Sequence, residues 1–175
     1  KTVLAAFSLI GFLACGTDDD QQSTDKVSPN ISAGINTRAS DTSWHAGDAI
    51  GLIMLQSNAN TILDEKANSK YTTSQGDGLF TASGSDVIFF PGDGSTVDFL
   101  SYYPYTNTFT PFTTQVNVSD QTSLPKIDLL TSERFEGASK NKPNVLLRFH
   151  HRLAKLVFNF ELEDPTTNAK VVSFH

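Results

Sequence analysis

Leu153-Ala154-Lys155-Leu156-Val157-Phe158-Asn159-Phe160-Glu161-Leu162 carries the clearest two-residue alternation in the chain. Ala154, Leu156, Phe158, Phe160 and Leu162 fall on one side, with Lys155, Asn159 and Glu161 on the other. This is the pattern of a β-strand with one face in a core and one in water. Residues 144–149 read as the strand before it. After it, Asp164-Pro165-Thr166-Thr167-Asn168 is a turn and residues 169–174 start another strand.

The rest of the chain follows the same design. Residues 27–36 alternate through Ile31, Ala33 and Ile35, which predicts a strand with one buried face. Thr37-Arg38-Ala39-Ser40 is a polar, exposed joint, and Trp44-His45-Ala46-Gly47-Asp48 is a turn feeding an apolar strand over 49–55. Short β-prone runs at 70–73, 79–82 and 86–90 are separated by Gly76-Asp77-Gly78 and Gly84-Ser85. Pro91-Gly92-Asp93-Gly94 turns the chain into a half-buried strand over 96–103, with Val97, Phe99, Ser101 and Tyr103 on one face and Pro104 as its stop. Residues 113–119 predict a further strand with Val116 and Val118 inward. Residues 127–133 invite a helical turn or two, too short to define the fold. The reading is all-β: about nine or ten strands, essentially no helix, and a β-sandwich of Greek-key type.

The N-terminal part has a different character. An apolar run over 2–14 ends at Cys15, the one cysteine, which is preceded by Ala14 and followed closely by Asp18, Asp19 and Asp20. Small residues before a cysteine at the end of an apolar leader mark lipoprotein processing, in which the thiol is acylated and the leader is cut in front of it. Phe12 stands where a strict motif has Leu, and the alternative is a plain secretory leader cut after Ala14. A run of about 13 apolar residues is well short of the ~20 that span a bilayer. Lys1 supplies the positive charge of a leader with no Met before it, so the chain reads as clipped at its start. Residues 1–14 are therefore assigned to a lipoprotein signal peptide, 15–26 to an acidic flexible tether, and 27–175 to the β-sandwich domain.

Charge and composition narrow the chemistry. A formal net charge of -6 argues against nucleic-acid binding. One cysteine permits no disulfide framework, so the core must hold the fold. Adjacent strand residues such as His150 and His151 point to opposite faces and do not share a metal without a bulge, and His45 and His175 are far from them in sequence. No metal site and no cofactor are expected. The Gly76–Gly78 and Gly92–Gly94 runs open no helix, so they are turns rather than phosphate cradles, and their aspartates lack calcium-loop spacing. No serine stands in a recognisable triad motif, so no catalytic residue is assigned and an enzyme is not expected. Tyr102, Tyr103 and Tyr105 offer aromatic faces for sugar rings or, as the commoner fate, cover the core with their hydroxyls outward. Asn30-Ile31-Ser32 and Asn117-Val118-Ser119 fit a glycosylation sequon, a weak signal.

Taken in order, Trp44-His45-Ala46-Gly47-Asp48-Ala49-Ile50-Gly51, then Val97-Asp98-Phe99-Leu100-Ser101-Tyr102-Tyr103-Pro104-Tyr105, then Asp120-Gln121 with Ile127-Asp128-Leu129-Leu130, then Phe149-His150-His151-Arg152-Leu153-Ala154-Lys155-Leu156, resemble the N-terminal domain of fimbrillin-family lipoproteins. The resemblance runs from Cys15 to about Val172. It implies a transthyretin-like sandwich, the first of two such domains, in a subunit of a type V pilus: stalk, anchor or tip. It further implies lipidation of Cys15, an outer-membrane anchor, surface display, and proteolytic cutting between Arg38 and Ala39. Asp18, Asp19 and Asp20 resemble a surface-export tag, the alternative being an ordinary solvated spacer. A cut at Arg38 would detach the strand at 27–36 and leave an apolar groove for a donor strand from another pilus subunit. The other reading is a monomeric surface lipoprotein that binds glycans or host proteins. The chain reads as a fragment that ends where a second sandwich domain would begin.

Overall fold

The computed structural model describes residues 26–36, 43–113, 115–117, 119 and 127–154. The strands expected at 155–162 and 169–174 and the turn at 164–168 lie outside them, as do the leader at 1–14 and the tether up to residue 25. Within the described residues the chain is all-β. Its strands are β1 (Asn30–Ile35), β2 (Ala49–Gln56), β3 (Ser69–Thr72), β4 (Leu79–Phe80), β5 (Val97–Tyr103), β6 (Leu130–Ser132), β7 (Phe135–Ala138) and β8 (Asn144–His151), with a single 3₁₀ turn named at Gly84–Asp86.

All eight strands belong to one sheet in the order β3-β2-β5-β6-β8-β1-β4, and β7 pairs with β5 beside that path. The sheet curls almost shut. Thr72 at the end of β3 and Thr81 just after β4 exchange both backbone hydrogen bonds, at 2.8 and 3.0 Å, so the two ends of the strand order meet. Curling removes most of the exposed edge that an open sheet would present to other chains. The interior is filled from every side by one cluster that includes Ile31, Trp44, Leu52, Met54, Phe80, Ile88, Phe99, Leu147 and Phe149.

Alternation found the buried face of β1, and the strand expected at 144–149 is β8. In β1, Ile31 and Ala33 are buried and Asn30 and Gly34 exposed; in β8, Val145, Leu147 and Phe149 are buried while Leu146 and Arg148 face out. Four expectations are corrected. Of the stretch 127–133, Ile127 is helical, but residues 130–132 form strand β6 and not a helical turn: Leu130 and Ser132 are buried with Thr131 between them. Pairing with β5 on one side and β8 on the other outweighs a helix too short to be stable alone. The described residues of 113–119 form no strand. Thr113 closes a tight turn with Thr110, and the Asn117 side chain accepts from the Ser119 N–H at 3.0 Å, a local bond that competes with a sheet ladder.

At 86–90 Asp86 belongs to the 3₁₀ turn, and Ile88 and Phe90 enter the core from a segment outside the named strands, held by Tyr71 Oη on Ile88 N–H and Val27 O on Phe90 N–H. Finally, β5 is buried on both faces and not one, since Asp98 and Tyr102 are as enclosed as Val97 and Phe99. Leu153 and Ala154, the first residues of the best-patterned stretch, are exposed and lie beyond β8.

Candidate functional site

The strand that the sequence marks for assembly is β1. It lies parallel to β8, in register from Asn30 opposite Asn144 to Ile35 opposite Phe149, while every other pairing between the described strands is antiparallel. Partners so far apart in sequence are joined by no hairpin, so β1 stays in place through its own contacts. Its ends are pinned by Asn30 N–H to Pro143 O and Asn36 N–H to Phe149 O, both 2.8 Å, and by Asn30 Nδ2 to Asn144 Oδ1 at 3.0 Å.

The other side of β1 is held more lightly. β4 contributes two paired positions, Phe80 opposite Ile31 and Leu79 opposite Ser32. Beyond them, Ala33 N–H donates to Gly78 O at 2.8 Å and Trp44 Nε1 to Ala33 O at 2.8 Å. Gly78 has a φ of +79°, and a Cβ there would lie 2.7 Å from Ala33 O, so only glycine allows this approach. β1 is therefore paired along both sides and is not an edge strand.

Below β1, Ile31 and Ala33 lie in the common core cluster with Phe80, Val145, Leu147 and Phe149. Trp44 is the clasp. Its ring meets Phe80, Tyr103 and Phe149 edge-on with centroids 5.1, 5.4 and 5.3 Å away. The turn that presents it is set by His45 N–H to Asp48 Oδ2 at 2.8 Å, and Tyr103 Oη donates to Asp48 Oδ1 at 3.1 Å. Burial, with the Asp48 carboxylate beside it, pushes the Tyr103 hydroxyl well above the ordinary tyrosine range, so this bond persists at any physiological pH. With β1 removed, β8 would present unpaired backbone groups above a floor of Val145, Leu147 and Phe149. An extended segment with alternating apolar residues fits that site chemically.

Cys15, Asp18, Asp19, Asp20, Arg38 and Ala39 lie outside the described residues. His150 and His151 part as their strand geometry requires: His150 Nε2 is 2.9 Å from Glu133 Oε1, and His151 Nδ1 is 2.8 Å from Asp128 Oδ1. Among the described residues no three His, Cys, Asp or Glu side chains gather around one point. Tyr102 and Tyr103 take the core role. Tyr102 Oη is 2.7 Å from Asn68 Oδ1, and Lys70 Nζ lies over the Tyr105 ring.

Sequence reasoning missed a buried ion pair. Asp98, 0% exposed, accepts from Ser57 Oγ at 3.1 Å, Asn58 N–H at 2.9 Å and Gly137 N–H at 3.0 Å. Arg134 Nε, which has no hydrogen-bond partner, lies 3.2 Å from Asp98 Oδ2, so that contact is ionic. Arg134 also donates to Ala59 O and Asn60 Oδ1. The available signal was an aspartate inside an apolar strand; its partners had none.

The profile of the fimbrillin-like family matches residues 37–174. A protein of Bacteroides uniformis named "Putative fimbrium subunit Fim1C" is 41% identical over 159 residues, covering 88% of this chain and 52% of that protein. The chain thus spans about half the length of that relative. A crystal structure of a "putative cell adhesion protein" from Bacteroides uniformis superposes with a TM-score of 0.58 at 39% identity, over 70% of this chain and 47% of the other. A second "putative cell adhesion protein", from Bacteroides ovatus, shares the fold with a TM-score of 0.56 at 24% identity, over 72% of this chain and 52% of the other.

Proposed function

This chain belongs to the fimbrillin-like family, and from that premise we propose that it is part of a pilus subunit, of stalk, anchor or tip type, that assembles by donor-strand exchange. Its nearly closed sheet is then a Greek-key, transthyretin-like sandwich, the first of two domains. Residues 1–14 serve as a lipoprotein signal, Cys15 carries the acyl anchor to the outer membrane, and Asp18, Asp19 and Asp20 direct export to the cell surface. One observation carries the reading. β1 contributes buried apolar residues and is paired on both sides, yet it follows β8 in no hairpin and ends immediately before the joint that contains Arg38 and Ala39.

Cutting that joint leaves β1 attached to the rest only by non-covalent contacts. Its departure opens a groove that a strand from another subunit closes at little net cost, because the same ladder and the same floor are satisfied again. In the full-length protein, Arg38→Ala should block maturation and leave monomers, whereas trypsin-like cleavage of the wild type should give a product beginning at Ala39 that forms polymers visible by electron microscopy. Normal polymerisation of Arg38→Ala, or assembled pili whose mature N-terminus is Cys15, would exclude strand release.

A further inference from the structure

The groove that β1 fills is not uniform along its length. Paired residues of neighbouring strands share a face of the sheet, so the inward residues of β1 can be placed against their neighbours. Ile31 stands opposite Phe80 on β4 and Val145 on β8, Ala33 opposite Leu147, and Ile35 opposite Phe149. The Trp44 ring meets both Phe80 and Phe149 edge-on, and its Nε1 donates to Ala33 O at 2.8 Å. The indole therefore lies across the middle of the groove, between the positions of Ile31 and Ile35. The inward residue at that point is alanine, buried at 8% exposure.

The indole is boxed in. Tyr103 closes a third side, its ring centroid 5.4 Å away and its hydroxyl tied to Asp48. A Cβ on Gly78 would come 3.4 Å from Trp44 Cδ1, so that edge is occupied as well. The backbone is equally fixed. Gly76, at a φ of +72°, packs so close that a Cβ there would lie 2.8 Å from Trp44 O. Beside it, Gly47 N–H donates to Thr73 O at 2.8 Å and Thr73 N–H to Asp48 O at 3.0 Å. A larger side chain at position 33 would have to push the ring away from Ala33 O, leaving a buried N–H without its acceptor and disturbing a close-packed core.

Resting on the strand-exchange reading above, we infer that Trp44 selects the incoming strand by size. The segment accepted in place of β1 carries a large apolar side chain, then one no bigger than alanine two positions on, then a second large apolar side chain two positions further. Alternation alone would admit any amphipathic strand. A size limit at the middle position turns most of them away, through a clash with the wrong strand and not through an added attraction to the right one.

The full-length protein would be cleaved after Arg38 in the presence of excess fluorescent peptide with the sequence of residues 27–38, either unchanged or carrying Ala33→Gly or Ala33→Leu. Uptake would be read by anisotropy, and polymer formation by electron microscopy. The unchanged and Ala33→Gly peptides should enter and suppress polymers, whereas Ala33→Leu should bind at least about tenfold more weakly. In the Trp44→Phe protein, whose ring is smaller and has no N–H, that penalty should fall below about threefold. The peptide comparison on the wild-type protein needs no variant to fold. Equal uptake of the Ala33→Leu peptide, an undiminished penalty in Trp44→Phe, or polymers that the unchanged peptide does not suppress would overturn selection by Trp44 while leaving strand release intact. Neither polymers nor uptake of any peptide would remove strand release itself, and selection by Trp44 with it.

Discussion

β5 has no exposed residue on either face, whereas in β1 Asn30 and Gly34 are exposed. β5 is paired antiparallel with β2 over six positions and also with β6 and β7, and its Asp98 anchors four surrounding groups. β1 has a full ladder on one side and two paired positions on the other, and beside it Leu79 and Leu146 stand 59% and 48% exposed on the outer face. A glycine in each region makes the contrast concrete. A Cβ on Gly51 of β2 would sit 2.0 Å from Cε1 of the buried Tyr102 ring, while a Cβ on Gly34 of β1 meets nothing within 4 Å. One sheet thus combines a densely packed centre with a flank whose outer face has room for substitution. That is the division which the proposed strand release requires.

The largest effect should come from the centre's ion pair. Asp98→Ala leaves Arg134 and three donors without their acceptor, and breaking a buried pair from one side costs about 3–5 kcal/mol. Chemical denaturation of the variant should show this as a drop of the whole transition. A loss below about 1 kcal/mol would mean that water replaces the carboxylate and that the centre is less tightly organised than it looks. Gly51→Ala should follow at about 1–3 kcal/mol through overpacking against Tyr102. Tyr102 has little room to retreat, because its hydroxyl is tied to Asn68 and its ring lies on Phe109. Wild-type melting of Gly51→Ala would place the slack in the centre instead of the flank.

The same contrast explains what was legible in the chain. Alternation and turn residues are local signals, so the face of β1, the presence of β8 and the turn from Trp44 to Asp48 were readable, as was the class of fold. β7 was not: its sequence is Phe-Glu-Gly-Ala, and Gly137 at a φ of +73° is held in place by bonding to Asp98. β6 was mistaken for a helical turn because two flanking strands, and not its own three residues, decide its conformation. The Asp98 cluster joins groups 36 to 41 positions away, and the parallel pairing of β1 with β8 joins Asn30 to a residue 114 positions on. No turn or periodicity encodes such pairs. Of the candidate assembly site, the buried face of the strand was visible in advance, while its clasp by Trp44 and Gly78 was not, since both depend on backbone approach.

The smallest predicted effect has the opposite sign. Gly34 is on the outer face of β1, its φ lies outside the left-handed region, and there is room for a methyl group. Glycine weakens a strand interior because it loses more conformational freedom on ordering than alanine does. Gly34→Ala should therefore stabilise the protein by about 0.4–1 kcal/mol, acting on the disordered state and not on any contact in the folded one. A detached β1 is such a disordered state, so the substitution should also reduce its opening by about two- to fivefold. Hydrogen exchange reports this directly: the Ala33 and Asn36 amides, bonded to Gly78 O and Phe149 O, should exchange more slowly, while the β5 amides keep their rates. Slower exchange across β1 and β5 alike would show that the two melt as one unit and that the flank is not separable. No change at Ala33 and Asn36 would show that β1 opens for reasons other than its own chain entropy, and the weak link would then be the two-residue pairing with β4.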